Sequence, residues 1–298
     1  MRSAHESFVA AADRTILFYE RLGAASGPVL VPLDGILWDG QIWRSCFEYF
    51  GRSCEIVHPH YRGHGRSGTP EDLSHATIEY LCTDLEAVLD HAGVRTVRLV
   101  GHSMGVQVAL EFWRRCPERV EALVLCCGGF GRILDTFHEI GVVKLLFPAA
   151  RLLLNRSKKA RDVWNSVPAE LAFRVATLSG EVNARAIRRQ DMIPYLRNAR
   201  YVDFTLFLNM VQDMDRHDTW SFLPRIDVPT LVIAAERDTF TPPRLAEAMA
   251  RRIPNAELMV MPGATHAAPI ENPAQINLRI EKFFLERLGS ALRSERQP

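Results

Sequence analysis

The chain has 298 residues and a formal net charge of +1, from 36 basic and 35 acidic residues. This balance argues against a nucleic-acid partner, and the length suits one large α/β domain with an insertion or two small domains. No run of about 20 apolar residues predicts a membrane span, and residues 1–17 lack the pattern of a signal peptide. We therefore expect a cytoplasmic protein.

Short apolar runs alternate with helical patterns along most of the chain. Apolar residues recur at helical spacing over 78–89, 106–113 and 276–288. This alternation predicts a mostly parallel eight-stranded sheet flanked by helices, with the first two strands forming an antiparallel hairpin at its edge. The predicted strands are 8–11, 16–21, 28–33, 55–59, 96–100, 122–126, 230–234 and 257–261.

The alternation stops between Gly128 and about Trp220, where only helical patterns remain. We interpret residues 129–220 as an all-helical cap, and residues 1–128 with 221–298 as the α/β core. Such a cap would cover the carboxyl edge of the sheet, where open α/β sheets bind ligands.

A predicted strand leads directly into Gly101-His102-Ser103-Met104-Gly105, and a helical pattern follows at once. Gly-x-Ser-x-Gly is a weak signal alone but a strong one between a strand and a helix, because the turn needs that context. It presents a serine in a strained conformation, and the flanking glycines relieve the crowding. We predict Ser103 as a nucleophile; the alternative is a glycine-rich turn that only packs tightly.

A serine hydroxyl needs a histidine base, and the histidine needs a carboxylate to orient it. Asp238 and His266 each follow a predicted strand, in the chain order that this kind of turn requires. Both should therefore lie at the edge that carries Ser103. Glu236 is the competing acid, whereas Asp135, Asp213 and Asp215 are expected to be structural or at the surface.

These motifs resemble those of the α/β-hydrolase superfamily, in the capped branch with esterases, epoxide hydrolases, haloalkane dehalogenases and carbon–carbon bond hydrolases. The resemblance implies Ser103 as nucleophile, His266 as general base and Asp238 as the acid that orients it. Epoxide hydrolases and dehalogenases usually have Asp as the nucleophile, so Ser103 argues against both. The matching segments are residues 61–67, 101–105, 117–120, 236–238 and 263–266.

The resemblance also implies an oxyanion hole made by the backbone N–H groups of Ile36 and Met104. The family usually has His-Gly before the first of these positions, whereas this chain has Asp34-Gly35. We expect the Asp34 carboxylate to cap N–H groups of its own turn. The alternative is a negative charge that acts on His266 or discourages anionic substrates.

His60 stands where the family commonly has Asp, and His58 and His64 lie nearby. Three histidines could form a metal site, but they are more often residues that structure a loop. We expect no metal and no cofactor.

The predicted cap has two notable features. Five basic residues and no acid fall within 151–161, which indicates a solvated helix face or, less often, a docking strip for an anionic acyl carrier. An apolar stripe along one predicted helix indicates cap core, a substrate wall, or both. That stripe consists of Phe204, Phe207, Met210 and Met214.

The leading hypothesis is a serine hydrolase that cleaves small to medium hydrophobic carboxylic esters through an acyl-enzyme. The alternatives are a carbon–carbon bond hydrolase of a ring-fission product, a thioesterase on a carrier-bound acyl chain, and a non-catalytic ligand receptor on the same scaffold. His102 disfavours the carbon–carbon hydrolase, because those enzymes tend to have Asn at this position. A small-molecule ester is the expected partner, and a homodimer is possible.

Overall fold

A computed structural model describes residues 5–135, 141–178, 182–183 and 185–289. Its centre is one eight-stranded sheet in the order β1-β2-β4-β3-β5-β6-β7-β8. The strands are β1 His5–Ala10, β2 Ile16–Gly23, β3 Val29–Leu33, β4 Glu55–Pro59, β5 Val97–His102, β6 Val120–Cys126, β7 Thr230–Ala235 and β8 Ala256–Met261.

The prediction of a mostly parallel sheet is confirmed. Strands β3 to β8 are parallel to one another, whereas β2 is antiparallel to both β1 and β4. The β1–β2 hairpin occupies one sheet edge, as predicted from the sequence. Every predicted strand is present, with ends that differ by no more than three residues.

Helices cover both faces of the sheet because side chains alternate across each strand. On β3, Val31 and Leu33 face one apolar cluster, whereas the preceding residue, Leu30, faces the other. The helices that pack against the first cluster are α2 Ile78–His91, α3 Met104–Arg115 and α9 Pro243–Arg252. The second receives α1 Arg44–Phe50 and α11 Pro273–Leu288, and the short helix α10 Ala268–Glu271 precedes α11.

The segment between β6 and β7 is helical, as its sequence pattern predicts. Its helices are α4 Gly141–Arg156, α5 Lys158–Ser166, α6 Ala169–Leu178, α7 Arg189–Ala199 and α8 Phe204–Arg216. Leu206 and Met210 of α8 join the first apolar cluster, and Met192 of α7 joins the second. These contacts attach the segment to the core; its limits at residues 129 and 220 stay a prediction.

No helix in the described part of the chain is both long enough and apolar enough to cross a bilayer.

The carboxyl ends of β3, β5, β7 and β8 lie at one edge of the sheet, because these strands are parallel. The loops that leave them carry Asp34, Ser103, Asp238 and His266, respectively.

Candidate active site

Ser103 occupies a sharp turn between β5 and α3. Its backbone has φ 55° and ψ −116°, a conformation that residues with a side chain rarely adopt. The Ser103 N–H donates to the carbonyl of Cys126 on the neighbouring strand (3.1 Å), and its carbonyl accepts from Val106 N–H (3.0 Å). The turn is therefore held from both sides in a conformation that presents the hydroxyl above the sheet.

The two glycines of the motif are required by close packing. A Cβ on Gly101 would lie 2.4 Å from the carbonyl oxygen of Gly105, and a Cβ on Gly105 would lie 2.3 Å from that of Leu33. Both distances are below any real contact, so neither position accepts a side chain. The crowding around the serine that the sequence predicts is therefore confirmed.

Asp238, His266 and Ser103 form a chain of hydrogen bonds. The Nε2 atom of His266 lies 3.0 Å from Ser103 Oγ, and its Nδ1 atom lies 2.8 Å from Asp238 Oδ2. The Asp238 side chain is fully buried, whereas that of His266 is 16% exposed. The structure thus brings together the three residues selected from the sequence, in the order acid, imidazole, hydroxyl.

Asp238 is fixed by donors other than the histidine. Its Oδ1 accepts from the backbone N–H groups of Phe240 (2.9 Å) and Thr241 (2.8 Å), and its Oδ2 accepts from the Thr241 hydroxyl (2.8 Å). These bonds leave the carboxylate one orientation toward His266. Sequence reasoning missed Thr241, although a threonine three residues after an aspartate is a familiar turn signal.

The loop that carries His266 is held by two buried side chains that the sequence did not suggest. Glu271 accepts from the backbone N–H (2.7 Å) and the hydroxyl (2.5 Å) of Thr265. Glu271 also accepts from Asn183 N–H (2.9 Å), which links this loop to the helical segment. No local pattern marks Glu271, because its three donors are distant from it or lie across the loop.

His102 is the second of these side chains. Its Nε2 lies 2.9 Å from the carbonyl oxygen of His266, which can only accept, so His102 donates there. Burial, reinforced by nearby His266, lowers the pKa of His102 to about 3, so this imidazole is neutral. His102 therefore holds the main chain of His266, a role the sequence argument did not assign to this variable position.

The turn at residues 34–40 lies against Ser103. A Cβ on Gly35 would lie 3.0 Å from His102 Nδ1 and 3.1 Å from Ser103 Cβ, so a side chain here would require these neighbours to move. The N–H groups of Ile36 and Met104 donate to no other residue in the described parts of the chain. Both residues flank Ser103, Ile36 on this turn and Met104 as the first residue of α3.

The expectation that Asp34 caps its own turn is wrong. Asp34 is 1% exposed, and its Oδ2 accepts from Nε2–H of the equally buried His58 (2.9 Å). His58 lies on β4, beside β3 in the sheet, so this partner is distant in sequence but adjacent in space. Burial lowers the pKa of His58, but Asp34 and Glu20 outweigh this effect and raise the pKa to about 9, so a protonated His58 compensates the Asp34 carboxylate. This removes the reason to expect a bare negative charge near His266.

Glu20, His58 and His60 bring potential metal-ligand atoms within 4.8 Å of one another. His58 directs both nitrogens at carboxylates, with Nδ1 3.2 Å from Glu20 Oε1. His60 Nδ1 accepts from the Arg66 N–H (3.0 Å), so its proton is on Nε2 and no lone pair faces the cluster from that atom. The donor set of this cluster therefore fits a cation poorly.

The remaining predicted residues have structural contacts. His64 Nδ1 lies 3.0 Å from the Arg62 carbonyl, which it structures as expected. Glu236 accepts from Gly263 N–H (2.7 Å) and thus joins the loops of Asp238 and His266 without contacting either side chain. Asp213 and Asp215 accept from the N–H groups of Ile78 (2.7 Å) and Leu134 (2.9 Å). The side chain of Asp135 lies outside the described residues.

A cavity of about 490 Å³ opens above Ser103 and His266. Its wall comes from the turn at 34–40, from α7 and α8, and from the loop after β7, and the described residues that line it include no lysine, arginine, aspartate or glutamate. Phe207 and Met214 of the predicted apolar stripe face this cavity, while Met210 is in the core. The stripe is therefore both wall and core. The other apolar lining residues include Ile36, Leu37, Trp38, Ile133, Leu134, Phe147, Val182, Met192, Leu196, Val211 and Phe240.

The helical segment is attached to the turn at 34–40 from above. The rings of Trp38 and Tyr195 stack with their centroids 3.4 Å apart, and the Asn198 amide donates to Asp39 Oδ2 (2.9 Å).

Of the basic residues in 151–161, Arg156, Lys158 and Lys159 are exposed, whereas Arg151 donates to Asn209 (2.6 Å).

Comparison with known proteins agrees with this architecture. A 26% identical relative from Azorhizobium caulinodans, named "Putative carbamate hydrolase RutD", matches over 88% of this chain and 92% of its own length. A Haemophilus influenzae protein named "Putative esterase/lipase" is 25% identical over 95% of this chain and 92% of its own. The crystal structure of a hydrolase from Pseudomonas aeruginosa superposes with a TM-score of 0.77 at 24% identity, covering 94% of this chain and 98% of that one.

A family model described as "alpha/beta hydrolase fold" matches residues 28–273. That range includes six of the eight strands, the helical segment and all of the candidate site residues. The chain belongs to the α/β-hydrolase family.

Proposed function

We propose that this chain is a serine hydrolase that cleaves carboxylic esters with a small to medium, uncharged, hydrophobic acyl group through an acyl-enzyme. The observation that carries the proposal is the hydrogen-bond chain Asp238–His266–Ser103 at the floor of an apolar cavity. The hydrolase and esterase names of the relatives agree with this chemistry.

The proposed first step is attack of Ser103 Oγ on the ester carbonyl, with transfer of the hydroxyl proton to Nε2 of His266. Asp238 accepts from Nδ1–H, holds the reactive tautomer and stabilises the imidazolium that forms. The carbonyl electron pair moves to the oxygen, which the N–H groups of Ile36 and Met104 stabilise. Collapse of this intermediate expels the alcohol, which takes the proton from His266.

The second half repeats these roles with water as the nucleophile. His266 removes a proton from water as the water attacks the acyl-serine carbonyl, and the proton returns to Ser103 Oγ as that bond breaks. The products are a carboxylic acid and an alcohol, and the enzyme returns to its starting state. No cofactor is needed at any step.

The cavity supports an uncharged acyl group. A carboxylate or ammonium group buried there would lose its hydration and meet no opposite charge among the described lining residues. Each methylene buried in such a pocket contributes about 0.8 kcal/mol, which corresponds to roughly a fourfold gain in kcat/KM per added carbon. The gain should stop when the cavity is full.

The test combines labelling and turnover. We expect a fluorophosphonate probe to label Ser103, and p-nitrophenyl esters to be hydrolysed with kcat/KM rising along the acyl series to a maximum. Ser103→Ala should abolish labelling and lower kcat by about 10⁶-fold. Residual turnover near the wild-type value would refute the proposal.

A matched substrate pair tests the charge argument. An acyl chain that ends in a methyl group should be preferred at least about 100-fold over one of equal length that ends in a carboxylate, because the described lining of the pocket offers no cationic partner. Cleavage of a dienoic diketone without ester turnover would favour a carbon–carbon bond hydrolase. Activity restricted to acyl thioesters of a carrier would favour a thioesterase, and binding without turnover would favour a receptor.

A further inference from the structure

The turn at residues 34–40 adopts a conformation that needs outside support. Leu37 has φ 70° and Gly40 has φ 97°, and the first of these is unfavourable for a residue with a side chain. Within the turn, one backbone hydrogen bond joins Trp38 N–H to the Gly35 carbonyl (3.2 Å). A strained segment of this kind persists when neighbouring groups hold it in place.

His58 contacts both ends of this turn. Its Nε2–H donates to Asp34 Oδ2 at the start, and a Cβ on Gly40 at the end would lie 2.9 Å from its Cε1 atom. The ring is completely buried and packs against Phe47, with ring centroids 5.0 Å apart. The turn therefore wraps around the edge of the His58 ring, with Ser103 on the other side of the turn.

The charges around His58 are arranged to keep it protonated. Burial by itself lowers the pKa of His58, but the carboxylates of Asp34 and Glu20 outweigh this effect and raise the pKa to about 9. Asp39 on the turn also faces it, whereas burial and the neighbouring cations lower the pKa of His60 to about 2, so His60 is neutral. As an imidazolium, His58 donates to both carboxylates at once.

We propose that the buried Asp34–His58 ion pair is a positioning device that fixes the backbone N–H of Ile36 toward the oxygen of the transition state. This inference rests on the proposed hydrolase function. Asp34 and His58 are positioning residues, since neither lines the cavity. They act through the main chain of the turn, two residues from Asp34.

Loss of this pair should act on kcat more than on KM. A negative oxygen needs the Ile36 donor only in the transition state, so a displaced donor leaves substrate binding unchanged. Removal of an oxyanion donor lowers kcat by about 10²–10³-fold, and a misplaced one costs less. For Asp34→Asn we expect kcat to fall roughly 10- to 100-fold at pH 7, with KM within about threefold of wild type.

The pH profile separates positioning from a general loss of structure. Wild-type kcat should fall as the pH rises through about 9, because neutral His58 can no longer donate to both Asp34 and Glu20. Asp34→Asn removes one of the charges that hold the proton, so its alkaline decline should begin at lower pH. The measurement on the wild type needs no variant and is valid even if Asp34→Asn folds poorly.

His217→Gln is the matched control. It breaks a different histidine–carboxylate pair, the partly buried pair of His217 and Glu111 (3.3 Å) at the end of α8. We expect its kcat at pH 7, and the pH at which its kcat begins to fall, to match those of the wild type. A flat wild-type profile from pH 8 to 10.5, or a folded Asp34→Asn protein with kcat within twofold of wild type, would overturn the inference.

The two proposals fail in different ways. If Ser103→Ala retains turnover, the serine hydrolase function fails, whatever Asp34 does. If Ser103 is essential but Asp34→Asn changes neither kcat nor the pH profile, the hydrolase function stands and only the positioning role fails.

Discussion

Two aspartate–histidine pairs lie at the same edge of the sheet, and the groups around them differ. Asp34 follows β3 and pairs with His58 at 2.9 Å, whereas Asp238 follows β7 and pairs with His266 at 2.8 Å. Both aspartates are almost fully buried. By residue type, by the distance between partners and by burial of the aspartate, the two pairs are nearly the same.

They differ in the second nitrogen of each histidine. His266 directs Nε2 at a hydroxyl, Ser103 Oγ, at the edge of the cavity. His58 directs Nδ1 at a second carboxylate, Glu20, and is wholly enclosed. A hydroxyl can give up a proton to an imidazole, whereas a carboxylate holds the imidazole in its protonated form. One pair can therefore serve as a base, and the other is a fixed cation between two anions.

The two pairs should differ most in how far kcat falls when the aspartate of each pair is replaced by asparagine. Asp238→Asn should lower kcat by about 10⁴-fold while the protein remains folded, because the wrong histidine tautomer then faces Ser103. Steady-state kinetics on the preferred p-nitrophenyl ester measure this. An effect no larger than that of Asp34→Asn would erase the functional distinction between the pairs.

The Asp34–His58 pair should instead contribute to the free energy of unfolding, in a way that depends on pH. The folded pKa of His58, about 9, exceeds the unfolded value of about 6.5, so protonation favours the folded state. Its contribution, about 3 kcal/mol, is fully present below pH 6.5 and is lost as the pH rises through about 9. Urea unfolding at pH 6, 8 and 10 should show this loss in the wild type.

The control for that prediction is the double variant with Asp34→Asn and His58→Gln, which keeps two polar side chains and removes both charges. Its free energy of unfolding should lack this component of the pH dependence. Parallel curves for the wild type and the double variant would contradict the assignment of the proton to His58.

The smallest expected difference concerns one glycine in each loop. Gly40 and Gly263 both have positive φ, 97° and 67°, so alanine strains the backbone at either site by about 1 kcal/mol. Only at Gly40 would the new Cβ meet a neighbour, His58 Cε1 at 2.9 Å, whereas nothing lies within 4 Å at Gly263. We expect Gly40→Ala to cost about 1–2 kcal/mol more than Gly263→Ala in thermal unfolding. Equal costs would show that the turn is not packed tightly around His58.

The sequence predicted the sheet and the hydrogen-bonded trio well because each depends on local patterns. Apolar runs bounded by turn residues mark the strands, and parallel strands bring their carboxyl ends together. Ser103, Asp238 and His266 follow three of those ends, so their meeting required no knowledge of side-chain packing.

The other contacts depend on pairings that a single sequence does not encode visibly. Asp34 and His58 meet because β3 and β4 are neighbours, although 24 residues separate them. Glu271 reaches Asn183 across 88 residues, and Trp38 finds Tyr195 only once α7 covers the turn. A local rule for Asp34 therefore proposed a nearby partner, and the three-dimensional arrangement supplied a different one.

In the turn at residues 34–40, the main chain and the side chains are under different constraints. Its main chain is constrained by Gly35 against Ser103 and by Gly40 against His58, while the side chains of Ile36, Leu37 and Trp38 line the cavity. The donor proposed for Ile36 belongs to the main chain, so substitutions of these side chains can reshape the pocket without replacing the donor. Descendants of this protein could thus exchange one substrate for another by point mutation while retaining the chemistry beneath it.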